Sequence, residues 1–261
     1  MKRMVAMAIL FVPFLFGHSS PVKDMAGASA SMIIDEGDTA NTYILNGLVN
    51  WWDGILSEFD ATKNKWKDLV EGENFNGSIK GTGDFAVWDG AFASIKTENH
   101  RSISDFTLHS LVETPNKANW KNWCVIGIGD RNSMGVENGI VLSCRNNPMA
   151  VCYRSTYSGT VHNSVPLSNV NYCDTIVLDI VFHYSSLTYE VYVNGEYIGA
   201  STILSDNWNL DGKHLTFGLQ FNGTTDTNRN CKMYNVMIYN RALSAEEVAH
   251  NFAIDVERFG L

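Results

Sequence analysis

Proline is scarce in this chain, at five residues in 261, and no uninterrupted apolar stretch is long enough to cross a bilayer as a helix. Basic residues are the minority: 19 Lys and Arg against 28 Asp and Glu give a net charge of −9. A field of that sign repels phosphate backbones and anionic lipid heads. Nucleic acid and membrane surfaces are therefore not expected partners, whereas neutral sugars, cations and proteins remain open. The five cysteines, at positions 124, 144, 152, 173 and 231, contain no C-x-x-C, so neither a zinc ribbon nor a thioredoxin-type site is expected. No H-E-x-x-H, G-x-S-x-G or P-loop occurs, and no repeat period is visible. What is present is a globular composition, 45% hydrophobic and 11% aromatic with 21 glycines. It excludes a disordered tail, a collagen-like repeat and a disulfide-dense mini-protein.

The N-terminus reads as an export signal. Lys2 and Arg3 precede an apolar run from Met4 to Phe16, and Ala28-Ser29-Ala30 supplies a small-residue cleavage site. Cleavage there predicts a mature chain beginning at Ser31, more acidic than the precursor and without a transmembrane span. Residues 31–46 are then a lead-in or first strand, and residues 47–261 one domain. Cys144 and Cys152 lie symmetrically about Pro148, in a stretch that reads as strand, turn, strand. Either a bridge between opposed cysteines or two buried thiols fits that reading.

From about residue 83 the sequence is a succession of short apolar or alternating stretches divided by Gly, Asn, Asp and Ser. Expected strands are Phe85–Ile95, Phe106–Val112, Trp123–Ile128, Gly139–Cys144, Ala150–Arg154, Thr175–His183, Tyr189–Val193, Tyr197–Ser201, Leu215–Phe221 and Lys232–Tyr239. Their spacing, without helical periods between them, predicts an antiparallel sandwich or barrel. Asn194-Gly195 between two such stretches is a type I′ hairpin signal, because both residues tolerate positive φ. Ser244-Ala245-Glu246-Glu247 is a capping box, and Val248, Phe252 and Val256 repeat along one face of the helix it opens. Gly260 is placed to end that helix.

Tyr192-Val193-Asn194-Gly195-Glu196 and Tyr234-Asn235-Val236-Met237-Ile238-Tyr239-Asn240-Arg241-Ala242-Leu243-Ser244-Ala245-Glu246-Glu247 resemble the laminin G-like, concanavalin A-like jelly-roll family, bacterial and phage members included. Gly47-Leu48-Val49-Asn50-Trp51-Trp52-Asp53-Gly54 and Trp66-Lys67-Asp68-Leu69 look like the opening of such domains. The resemblance implies an all-β fold, a two-sheet antiparallel jelly-roll sandwich, here with one C-terminal α-helix. Laminarinase-type hydrolases on this sandwich carry E-[ILV]-D-x-E on one strand, which sets two carboxylates about 5 Å apart. No such run exists here, and Asp179 and Glu190 are the sparse carboxylates of the inner-strand candidates. The expectation is therefore a binding protein and not an enzyme.

Sugar rings stack their C–H faces on aromatics and bond their hydroxyls to amides and carboxylates. Trp120, Asn122 and Trp123 form an aromatic and amide cluster before a strand, and Trp208 lies among Asn and Asp. These four are the candidate ligand-binding residues. The resemblance also implies calcium, for which Asp226, Asn228 and Asn230 offer oxygens at alternate positions, although Arg229 stands among them. Asp130 and Asp174 are further loop carboxylates. His109 and His183 fall within strands and read as hydrogen-bonded structural imidazoles. The expectation is a secreted or cell-surface lectin-like module for a glycan or glycoconjugate. An adhesion or structural domain of a surface or phage assembly with protein partners is the alternative, and a glycoside hydrolase is the second.

Overall fold

The β-rich half of the sequence divides between two sheets because its strands carry apolar residues on alternate positions and end in Gly, Asn or Asp turns. The computed structural model describes residues 42–56, 59–60, 65–70, 74–76, 79–81, 86–88, 93–96, 105–114, 123–132, 135–144, 148–154, 161–203, 208, 213–220 and 232–261. All of these belong to the compact unit Ala40–Leu261. In chain order the described strands are β1 (Leu48–Asp53), β2 (Phe59–Asp60), β3 (Lys65–Lys67), β4 (Asn74–Asn76), β5 (Ile79–Gly81), β6 (Ala86–Trp88), β7 (Ala93–Lys96), β8 (Phe106–Glu113) and β9 (Trp123–Asn132). They continue as β10 (Gly135–Ser143), β11 (Met149–Arg154), β12 (Val161–Leu167), β13 (Thr175–His183), β14 (Thr188–Val193), β15 (Glu196–Thr202), β16 (His214–Gln220) and β17 (Lys232–Tyr239), and the helix α1 (Ala245–Phe259) closes the chain.

One sheet runs β15-β14-β13-β8-β17-β6-β5, with β1 also on β17, and the other runs β12-β11-β10-β9-β16-β7-β4-β3-β2. Their pairings are antiparallel throughout. Between the sheets lies a core of Ile176, Leu178, Ile180 and Phe182 from β13, Ile140 and Leu142 from β10, and the indoles of Trp52, Trp66 and Trp208. The opposite face of the first sheet is apolar too. Val181, Tyr192, Met237 and Tyr239 meet Val248 and Ile254 of α1 in a second cluster.

The hairpin and the two ends of the helix take the expected forms, but the face the helix buries is Val248, Asn251, Ile254 and Asp255, with Phe252 and Val256 only half-buried. Asn194 and Gly195 have φ of 52° and 76°. Ser244 and Glu247 close the capping box reciprocally, and Gly260 ends α1 in the left-handed region. Leu243 and Val248, at the positions of a hydrophobic staple, share the second cluster.

Two local expectations are corrected, and one strand carries an irregularity. Phe85–Ile95 is not one strand: β6 pairs with β17 in the first sheet, whereas β7 pairs with β16 in the second. In β17 a bulge between Met233 and Asn235 turns Met233 into the inter-sheet core. Cys144 and Cys152 are not opposed. The register sets Cys152 against Val141, and Cys144 lies with its Sγ 3.2 Å from Met149 Sδ. The turn is centred one and a half residues before Pro148, which breaks the symmetry on which a bridge depended.

Candidate functional site

The residues singled out from sequence fall into three groups. Trp120 and Asn122, with the calcium candidates Asp226, Asn228 and Asn230, lie outside the described residues. Trp123 opens β9, at the end of the second sheet where it pairs with Gln220, the last residue of β16. Ser143, at the end of β10, pairs with Cys124 beside it. The segment 115–122 therefore joins the sheet at the same end as the segment 221–231, on neighbouring strands.

Trp208 is corrected from an exposed stacking platform to a core residue, 1% exposed. Its ring sits 5.6 Å from Phe106 and 5.0 Å from Phe182, and its indole N–H donates to the Asn138 carbonyl. Of the polar residues near it in sequence, Lys213 lies over the ring. The other loop carboxylates serve internal bonds. Asp130 accepts from Lys213 Nζ at 2.8 Å and from Asn138 Nδ2 at 2.9 Å. Asp174 accepts from the Asn171 backbone N–H at 2.7 Å. Among the described residues, no group of three or more His, Cys, Asp and Glu is arranged to hold a metal.

Sequence reasoning missed a charged network beneath α1. His109, on β8, is fully buried with Nδ1 2.7 Å from Asp179 and Nε2 2.8 Å from Asp255. Asp255 also accepts from Tyr43 Oη at 2.6 Å and Asn235 Nδ2 at 3.0 Å. Asn235 Oδ1 in turn accepts from the Trp51 indole at 2.9 Å. Arg258 donates to Asp53 at 2.7 Å and to Tyr43 Oη at 3.0 Å. Burial alone would push the His109 imidazole down, but the two carboxylates together hold it up at about 10. Burial also lifts the Asp179 carboxyl above the usual range, against the pull of the imidazolium. One cation faces two carboxylates, so the attraction does not repay the desolvation of both. The signal available in sequence was a polar residue at each inward position of otherwise apolar strands: His109 among Phe106, Leu108 and Leu111, and Asp179 among Val177, Ile180 and Val181. Solvent exclusion makes this network a fastening for the helix. Asp179 is sealed inside it and Glu190 is bonded to Tyr192, so these carboxylates do not face a common cleft.

Two antiparallel sheets packed face to face, with a helix on the outside of one, define a lectin-type sandwich. The chain belongs to the concanavalin A-like lectin/glucanases superfamily, whose laminin G family model matches residues 89–249. A Trypanosoma cruzi protein described as trypomastigote decay-accelerating factor is 43% identical over 60 residues, which make up 22% of this chain and 62% of that protein. The fold also matches Trypanosoma rangeli sialidase at a TM-score of 0.61 and 16% identity, over 81% of this chain and 33% of the enzyme. The receptor binding domain of botulinum neurotoxin C/D mosaic serotype matches at 0.59 and 11% identity, over 81% of this chain and 52% of that one. The chain thus spans only a third of the sialidase and less than two thirds of the trypanosome relative.

These likenesses correct the expectation that the protein is not an enzyme. The structures sharing its fold include sialidases, and two thirds of the sialidase chain lies outside the shared region. A missing E-[ILV]-D-x-E run speaks only to a carboxylate pair on one strand of the sandwich itself. At these identities the likeness is one of fold.

Proposed function

We propose that the domain binds glycans at an extracellular surface, with Trp120, Asn122 and Trp123 meeting the sugar and Asp226, Asn228 and Asn230 holding calcium beside it. The pairing of Trp123 with Gln220 carries this reading. It sets Trp123, which directly follows Asn122, beside Gln220, the last strand residue before the sequence that carries Asp226, Asn228 and Asn230, which supports one site for both. The lectin/glucanase family and the sialidase-like fold support the substrate class. One carboxylate and two amides make a weak donor set, so a low calcium affinity is expected.

A glycan array read with and without a chelator tests the proposal. Binding is expected, weakened by chelation and abolished by Trp120→Ala. Failure to retain any glycan, together with a stable homo-oligomer, overturns it in favour of an adhesion domain with protein partners.

A further inference from the structure

A second polar and aromatic surface lies on the helix-bearing face of the first sheet, toward the edge formed by β13, β14 and β15. The register sets Glu190 between Val181 on one side and Ala200 on the other, and Tyr192 between Asp179 and Tyr197. Val181 and Tyr192 belong to the cluster under α1, so Glu190 and His183, at two-residue steps from them, share that face. A bulge between Val191 and Tyr192 in the pairing with β15 brings Tyr197 onto the same face as Ala200. Gly199, between them, turns toward Val165 in the core.

The result is an aromatic ring left open beside a carboxylate. Tyr197 is 56% exposed, the most exposed large hydrophobic side chain described. It is not loose, because it packs edge-on against the buried Tyr192, 5.4 Å between centroids at 68°. The hairpin carrying it is seated on α1, where a Cβ at Gly195 would come within 3.0 Å of Phe252. Tyr192 Oη donates to Glu190 Oε2 at 2.7 Å, which fixes the carboxylate and leaves Oε1 as an acceptor. Oε1 lies 3.5 Å from His183 Nε2, beyond a normal hydrogen bond, and that nitrogen is buried with no hydrogen-bond partner. Opposite Glu190 stands only the methyl of an exposed Ala200, so the carboxylate is uncovered on the edge side.

The geometry points to a second carbohydrate subsite, formed by Tyr197, Glu190 and His183, that takes a neutral hexopyranose and rejects sialylated ligands. The inference rests on the glycan-binding reading above and names the chemistry of a different surface. The C–H face of a pyranose lies on the Tyr197 ring while a ring hydroxyl donates to Glu190 Oε1. His183 closing on the same carboxylate completes its bonding. Glu190 and the neighbouring Glu196 make the surface anionic, which opposes a carboxylated sugar. No cation is involved, so binding here is independent of calcium.

Saturation-transfer NMR on the full chain tests this with methyl hexopyranosides of gluco, galacto and manno configuration, and with N-acetylneuraminic acid. At least one neutral glycoside is expected to bind and to shift the His183 ring and hairpin amide resonances, unchanged by chelator, whereas N-acetylneuraminic acid does not. Tyr197→Ala and Glu190→Gln each weaken binding about tenfold. Both changes are at the surface, and an unaltered melting temperature for Tyr197→Ala separates loss of the site from loss of the fold. The subsite is overturned if no neutral glycoside shifts the His183 ring and hairpin amides, or if those shifts and their affinity are unchanged in Tyr197→Ala. Binding that survives Tyr197→Ala but disappears with Trp120→Ala leaves the glycan-binding reading standing and removes only this second site.

Discussion

At the scale of single residues, His109 and its two carboxylates behave unlike an ordinary buried ion pair. Asp255 accepts from Tyr43, Asn235 and His109, whereas Asp179 Oδ2 has no hydrogen-bond partner among the described residues. The amide of Asp255→Asn has a single acceptor oxygen and strands either His109 or the pair Tyr43 and Asn235, whereas that of Asp179→Asn keeps its oxygen on His109 and relieves an under-solvated carboxylate. Asp255→Asn is expected to cost about 3 kcal/mol and Asp179→Asn no more than about 1 kcal/mol in urea unfolding. Equal costs would refute the asymmetry. The imidazole adds a pH dependence. Its folded pKa, about 10, lies above that of a free histidine, so its stabilisation is complete below roughly pH 6.5 and is lost as pH rises through about 10. The raised Asp179 carboxyl acts in the same sense, since its ionisation is what burial penalises. The urea midpoint is expected to fall between pH 7 and pH 10. Nitrogen-15 NMR at pH 8 is expected to find both ring nitrogens of His109 protonated, and a neutral tautomer there would contradict the two-carboxylate clamp.

At the scale of elements, what was legible in the sequence had its cause within a few residues. Asn194-Gly195 and Ser244 to Glu247 carry their own turn and cap geometry, so both stood out before any fold was known. The split of residues 85–95 depends on partners more than a hundred residues away and the face of Met233 on a bulge, which no local pattern records, whereas the cysteine register turns on where a short hairpin is centred. The segment 42–46 shows the same limit. Read as a lead-in or first strand, it fastens the helix: Tyr43 bonds Asp255, Ile44 N–H donates to Asn251 Oδ1, and the Thr42 carbonyl meets His250 at 2.7 Å. Tyr43→Phe is expected to lower stability by about 1–3 kcal/mol, because the ring still packs on Trp51 while Asp255, Asn235 and Arg258 each lose a partner. Ser244→Ala costs about 1 kcal/mol by uncapping α1. If thermal melts give Tyr43→Phe the smaller loss, the segment is a passive lead-in and the fastening is elsewhere.

Across the whole molecule, the aromatic residues divide into those that hold the sandwich together and those free to meet a ligand, and the tryptophans make that division measurable. Of the seven indoles the sequence singled out Trp120, Trp123 and Trp208, since a Trp among polar residues reads the same whether it is buried or exposed. Trp208 showed the cost of that ambiguity. Trp51, Trp52, Trp66 and Trp208 are all buried, with 5% exposure at most. Trp88, Trp120 and Trp123 are the remaining candidates for contact with solvent or sugar. Iodide is therefore expected to quench the emission of no more than three of the seven indoles. A glycan bound where Trp123 opens β9 is expected to shift that quenchable fraction, and Trp120→Phe to remove most of the shift. A neutral hexopyranose on Tyr197 leaves the buried tryptophans dark to iodide and alters none of their emission, because the nearest described indoles lie inside the fold. Quenching of more than three indoles in the folded protein would contradict the core assignment. A sugar-induced change that persists in Trp120→Phe would move the ligand site away from that end of the sheet.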